Sequence, residues 1–177
     1  MENNVLETSR LNLRPIVDSD IDFIFRGLSD PSVIKHYGVS YTTLEATKEQ
    51  MKFYADLVEQ GTGRWWLIVE ASSTIPIGAI GINNLIKEHR KAEIGFWILP
   101  EYWGNGFIPE AYVEVEKYVY NVLGLHRIEA FVETDNNSSN RSLEKMGFQL
   151  EGTLREVEVK NDRYISLNIW AKLNPER

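Results

Sequence analysis

The chain contains no cysteine, which excludes a disulfide framework, a thiolate zinc site and a cysteine nucleophile, and fits a reducing, cytoplasmic setting. Basic charge is short. The 19 Lys and Arg stand against 26 Asp and Glu, a net −7, so the chain lacks the basic face that phosphate-backbone binding needs, and no nucleic acid is expected. Long hydrophobic runs are missing too: the longest uncharged stretch, 71–86, is broken by Ser72, Ser73, Thr74, Pro76, Asn83 and Asn84. It falls short of the roughly 20 apolar residues that cross a bilayer, so no membrane is expected as a partner. The first ten residues have neither the cationic region nor the apolar core of a secretory signal. Histidine is scarce: His36, His89 and His126 form no His-x-x-x-His pair, and no metal is expected. Neither a Gly-x-Ser-x-Gly elbow nor a Gly-Lys-Ser/Thr phosphate loop occurs.

What is present is globular. At 177 residues and 43% hydrophobic, the chain suits one domain, 1–177, that buries roughly 68–70% of its unfolded surface. Leu11 and Leu13 alternate with polar residues as in a short strand. Asp18 or Ser19 then caps a helix with the stripe Ile21, Ile24, Phe25 and Leu28, which the Asp30-Pro31 step ends. Thr42 or Thr43 caps a second helix that stops at Gly61 and Gly63. From Arg64 the period becomes that of strands, in runs near 65–70, 77–86 and 92–99 that read as an antiparallel meander. A helix follows with Ile108, Ala111, Tyr112, Val115, Val119 and Val122 as its buried stripe, ended by Gly124. A strand at 127–133, a short helix carrying Leu143 and Met146, and two strands joined at Asn161-Asp162 complete a mixed α/β pattern.

The informative segment runs from Glu93 through Pro100 and the turn Glu101-Tyr-Trp-Gly-Asn-Gly-Phe-Ile108 into a helix. Two glycines at a helix entrance let successive N–H groups converge on an anion, which the positive end of the helix dipole also favours. A dinucleotide fingerprint is excluded because Pro109 replaces its third glycine. From the glycines alone, an unliganded strand-to-helix turn is the more common reading.

The loop resembles the acetyl-CoA loop of the GNAT N-acetyltransferase superfamily. Downstream, Asn136-Asn-Ser-Ser139, Glu144-Lys-Met-Gly-Phe148 and Glu151-Gly152 resemble the block typical of its ribosomal-protein N-terminal, RimJ/RimL-like, branch. The resemblance runs from Thr8-Ser-Arg-Leu-Asn-Leu-Arg14 to Asn168-Ile-Trp-Ala171. It implies an α/β (α+β) fold: a mixed, mostly antiparallel sheet of six to seven strands flanked by helices, with a splayed strand pair at the acetyl-CoA site. It also implies acetyl-CoA as co-substrate. Gly104, Asn105, Gly106, Phe107 and Ile108 would surround the pyrophosphate; Phe96, Trp97 and Ile98 would pair with the pantetheine arm, which Asn136 would also contact. The chain departs from the family at the first and last loop positions, where Trp103 and Ile108 stand; Trp103 replaces a polar side chain.

Amine attack on a thioester needs a neutral amine, a stabilised oxyanion and a protonated leaving thiolate. Without cysteine, direct transfer in a ternary complex is favoured. Three glutamates, Glu93, Glu133 and Glu158, are candidate bases. The resemblance favours Glu158, with Glu93 second, and makes Ser139 the general acid; Ser139 could equally cap a helix, and Arg141 and Lys145 could meet CoA phosphates or solvent. The implied acceptor is a primary amine, most readily a protein or peptide N-terminus, with a small amine such as a polyamine, amino acid or aminoglycoside as the alternative and a non-catalytic CoA-binding module as the third. The acceptor pocket would draw on Tyr37, Tyr41 and the second helix. A monomer or a homodimer fits.

Overall fold

Strand and helix lengths follow the periodicities closely. A computed structural model describes residues 5–176. Eight strands, β1 (Leu6–Glu7), β2 (Leu11–Pro15), β3 (Arg64–Glu70), β4 (Pro76–Ile86), β5 (Lys91–Ile98), β6 (Arg127–Glu133), β7 (Gln149–Lys160) and β8 (Arg163–Leu173), form one sheet in the order β1-β2-β3-β4-β5-β6-β8-β7. Every neighbouring pair is antiparallel except β5 and β6. The helices are α1 (Ile21–Ser29), α2 (Pro31–Ile34), α3 (Leu44–Gln60), α4 (Phe107–Lys117) and α5 (Asn137–Lys145). The expected six to seven strands are thus eight: the addition is β1, two residues long and too short to show a period.

Two apolar clusters cover the two faces of the sheet. Leu11, Leu13, Trp66, Ile80 and Ile94 pack on the α4 side with Ala111, Tyr112 and Val115. Leu67, Ala79 and Trp97 pack on the α1 and α3 side with Ile24, Leu28, Tyr54 and Leu57. Large indoles decide where glycine is required. A Cβ on Gly81 would lie 2.3 Å from the Trp65 ring, and one on Gly27 2.2 Å from the Trp97 ring.

Two departures from the sequence pattern have local causes. Asp30-Pro31 ends α1 as expected but also starts α2, because the Asp30 carboxylate accepts from the N–H groups of Ser32 and Val33 and proline suits the first helical position. After α4, a π-helical turn spans Tyr118–Val122. It shifts the buried stripe, so Val122 is 66% exposed rather than buried while Tyr118, Val119 and Tyr120 face inward.

The site is created by an interruption of the sheet. β5 and β6 pair only from Lys91 and Arg127 to Glu93 and Glu129. Beyond them β6 continues against β8 as far as Glu133, and the remaining length of β5 has no strand partner on that side among the described residues.

Candidate active site

The freed edge of β5 has a defined polarity. The Leu99 N–H donates to the Ile77 carbonyl on β4, and antiparallel hydrogen bonding alternates along a strand. Trp97 therefore pairs towards β4, opposite Ala79, while Phe96 and Ile98 turn their backbone groups to the opening. The Trp97 ring stacks on Phe23, with centroids 5.5 Å apart, and its role is packing beneath the groove. Trp103 supplies a contact that its position in the loop pattern did not suggest: its indole N–H donates to the Ile98 carbonyl at 2.8 Å.

The glycine loop completes the groove. Gly104 and Gly106 have φ of +76° and +75°, a left-handed conformation that glycine adopts without strain. Gly106 caps α4. The N–H groups of residues 104–108 donate to no acceptor among the described residues, and Pro109, third in the helix, has no N–H to leave unpaired. Five consecutive free donors thus lie at and just before the positive end of α4. Asn105 turns its side chain back to the carbonyls of Tyr102 and Trp103 and gives its own carbonyl to Arg10. Arg10 also lies 4.5 Å above the Phe107 ring and pairs with Glu110, which fixes the first turn of α4. Phe96, Trp97, Ile98, Gly104, Gly106, Phe107, Ile108 and Asn136 all border this groove of about 710 Å³. Lys35, Arg141 and Lys145 add positive charge to its wall.

A second cavity of about 470 Å³ lies across the freed edge, lined by Tyr41, Phe53, Trp65, Phe131, Glu93 and Glu158 among others. It shares His36, Tyr37, Phe96, Asn136 and Ser139 with the groove, so the two spaces meet there. Glu93 is the last β5 residue paired with β6. A bulge in β4, with Asn84 at φ +50°, brings the Asn84 amide to donate to the Glu93 carboxylate at 2.8 Å. Burial pushes the Glu93 carboxyl up, Glu129 and Glu158 add to that, and the amide bonds oppose it. Glu158 stands opposite on β7, exposed and paired with Ile165.

The third expected carboxylate has a different place. Glu133 is buried, accepts from His36 Nδ1 at 2.7 Å, and accepts from Lys160 Nζ at 2.7 Å. Burial alone would raise its carboxyl, but the bonds from His36 and Lys160 outweigh it and hold the group below the usual range. The cation this carboxylate holds is the Lys160 ammonium, which also bonds the carbonyls of Lys35 and Tyr37. Asn136, and not Ser139, caps α5: its Oδ1 accepts from the Ser139 N–H at 3.2 Å. The Ser139 hydroxyl is not used by the cap and lies where the cavities join. Neither His36 nor Lys160 stands out along the chain, because their contacts join separate segments: His36 meets Glu133 97 residues away, and Lys160 meets Glu133 27 and Lys35 125 residues away.

Comparison with known proteins agrees with this geometry. Residues 10–149 match the acetyltransferase (GNAT) domain family. The chain is 40% identical over 172 residues, 97% of each chain, to the uncharacterized N-acetyltransferase YoaA of Bacillus subtilis. It is 28% identical over 129 residues to the ribosomal-protein-serine acetyltransferase of Escherichia coli, covering 73% of this chain and 71% of that one. The crystal structure of spermidine N-acetyltransferase from Vibrio cholerae, in complex with CoA and spermine, superposes with a TM-score of 0.83 at 25% identity, covering 94% of this chain and 96% of that one.

Proposed function

The chain belongs to the GNAT acetyltransferases, in their RimJ/RimL-like branch, and is an acetyl-CoA-dependent N-acetyltransferase; from that membership we propose that its acceptor is the α-amino group of a protein or peptide N-terminus, acetylated within a single domain. The observation that carries this reading is the distribution of charge in the acceptor cavity. Two carboxylates, Glu93 and Glu158, line this cavity, whereas Glu133 is already paired with the Lys160 ammonium and hydrogen-bonded by His36. The rest of the wall includes Phe53, Trp65, Phe131 and Leu167. Such a space suits one ammonium followed by neutral chain, while a polyamine presents several cations in a row.

The groove holds the acetyl-CoA, its pyrophosphate on the N–H groups of residues 104–108 and its pantetheine arm along Phe96 and Ile98 with the Asn136 amide. Glu93 fixes the incoming ammonium. Glu158 takes one proton from it, and a reference pKa of about 7.7–8.0 for an α-amine makes that transfer less costly than for lysine at about 10.4. The neutral amine attacks the thioester carbonyl, the C–S bond breaks, and the Ser139 hydroxyl donates to the thiolate. The sum is ammonium plus acetyl-CoA giving acetamide, CoA thiol and one proton.

Polyamine acetylation is the second reading, supported by the net −7 charge and by the spermidine enzyme. CoA release measured with an N-terminal serine peptide, spermidine and an aminoglycoside separates the two: the peptide is expected to give the highest kcat/KM, and a preference for spermidine overturns the assignment. With the preferred acceptor, Glu158→Gln should lower kcat by about 10²–10⁴-fold with acetyl-CoA affinity unchanged. If Glu93→Gln is the damaging variant instead, the base is Glu93.

A further inference from the structure

The nitrogen of the acceptor loses two protons in this reaction. One is released to solvent. The other must travel from the tetrahedral intermediate to the leaving sulfur, and a serine hydroxyl can deliver a proton only if another group replaces it. We propose that His36, oriented by Glu133, is that group: its Nε2 accepts the second proton from the nitrogen and returns it, through the Ser139 hydroxyl, to the thiolate. This rests on the acetyl-transfer reading and adds a residue to it.

Three observations carry the proposal. First, Glu133 is an ionised, acceptor-only carboxylate 2.7 Å from His36 Nδ1, so Nδ1 bears the hydrogen and the Nε2 lone pair is left available. Nε2 has no protein partner among the described residues, and the ring lines both cavities, as Ser139 does. Second, the other Glu133 oxygen is occupied by Lys160. The carboxylate therefore stabilises an imidazolium without taking the proton itself, the part a buried carboxylate plays behind a histidine in acyl transfer. Third, Lys160 bonds the carbonyls of Lys35 and Tyr37 at 2.7 and 3.3 Å, one on each side of His36, so the backbone that carries the ring is held on both flanks while Glu133 holds Nδ1. The Asp135 carboxylate approaches the same nitrogen at 3.7 Å, so both nearby carboxylates lie on the Nδ1 side of the ring.

His36→Asn keeps a donor in place of Nδ1 for Glu133 and removes Nε2. With acetyl-CoA and whichever of the serine peptide and spermidine is turned over, kcat should fall about 10²–10⁴-fold while acetyl-CoA affinity is retained. The loss should shrink with an acetyl thioester of a more acidic thiol, which leaves without a proton. His36→Asn combined with Ser139→Ala should be no slower than the worse single variant, because both interrupt one path. Turnover within about threefold of wild type, or fully multiplicative losses, overturns the proposal. A readout without turnover uses ¹⁵N-histidine-labelled enzyme: CoA should move the His36 Nε2 resonance and desulfo-CoA should not, and equal shifts overturn it. Absent turnover on every amine would count against the acetyl-transfer reading alone, since the nitrogen spectra still decide His36.

Discussion

At the scale of single residues, the site depends on what two glycines permit. A Cβ on Gly104 would meet nothing within 4 Å, and one on Gly106 would come no closer than 3.9 Å to Arg10; the requirement is therefore the positive φ and the open space in front of it. Gly106→Val forces a branched side chain into a left-handed conformation costing roughly 1–2 kcal/mol and fills the approach to the cradle. We expect acetyl-CoA binding, measured by calorimetry, to weaken at least tenfold; unchanged affinity would show that the pyrophosphate lies elsewhere. Trp103 makes the complementary point. It lacks the polar side chain usual at its position, yet its indole N–H reaches the Ile98 carbonyl and ties the loop to the freed strand edge. Phe96 and the Ile98 N–H remain for the pantetheine arm.

At the scale of elements, the strand-to-helix entrance before α1 is held by one ion pair. Arg14 on β2 makes two hydrogen bonds, at 2.7 and 2.8 Å, to the carboxylate of Asp20, which also accepts from the Val17 N–H at 2.8 Å. Burial raises the Asp20 carboxyl, but the bonds from Arg14 and Val17 outweigh it and leave it below its ordinary value. A lowered folded-state value means that the stabilisation is present above the unfolded carboxyl value of about 3.9 and is lost as pH falls through the folded one. Asp20→Asn should cost about 1–3 kcal/mol near neutrality, for the loss of charged hydrogen bonds at a partly exposed pair. Urea denaturation across pH checks the sign: the gap between variant and wild type should narrow as pH falls below the unfolded value of about 3.9, and a constant gap would refute the linkage. The β4 bulge works in the same way on the site, since Asn84 at φ +50° is what brings an amide to Glu93.

At the scale of the whole molecule, a sheet that parts between β5 and β6 leaves unpaired backbone in its middle, and a ligand that pairs with it should stabilise the fold. Acetyl-CoA at 100 times its dissociation constant adds about 2.7 kcal/mol, which for a chain of this size corresponds to a rise in Tm of roughly 5–10 °C. A thermal melt with and without acetyl-CoA measures it, and no shift at saturation would contradict the groove described above. No helix among the described residues is long and apolar enough to cross a membrane.

Much of this protein was legible in the chain because it is local. Strand and helix periods, the Thr43 cap, the left-handed Gly61 and the Asn161-Asp162 hairpin, both of whose residues have positive φ, are settled by neighbouring residues, as is the glycine loop. Leu11, Leu13, Ile24 and Leu28 are buried as their spacing predicts. Other features follow only from contacts between distant segments. The two-residue β1 exists because β2 offers it an edge, and Val122 is exposed because a π-helical turn rotates the end of its helix. The three candidate glutamates look alike in sequence. Tertiary structure separates them: Lys160 pairs with Glu133 and His36 hydrogen-bonds it, Asn84 orients Glu93, and Glu158 stays exposed. The physical reason is that a carboxylate's protonation and freedom are set by charges and donors within a few ångströms, and in a mixed sheet those neighbours come from strands and loops that lie far apart along the chain.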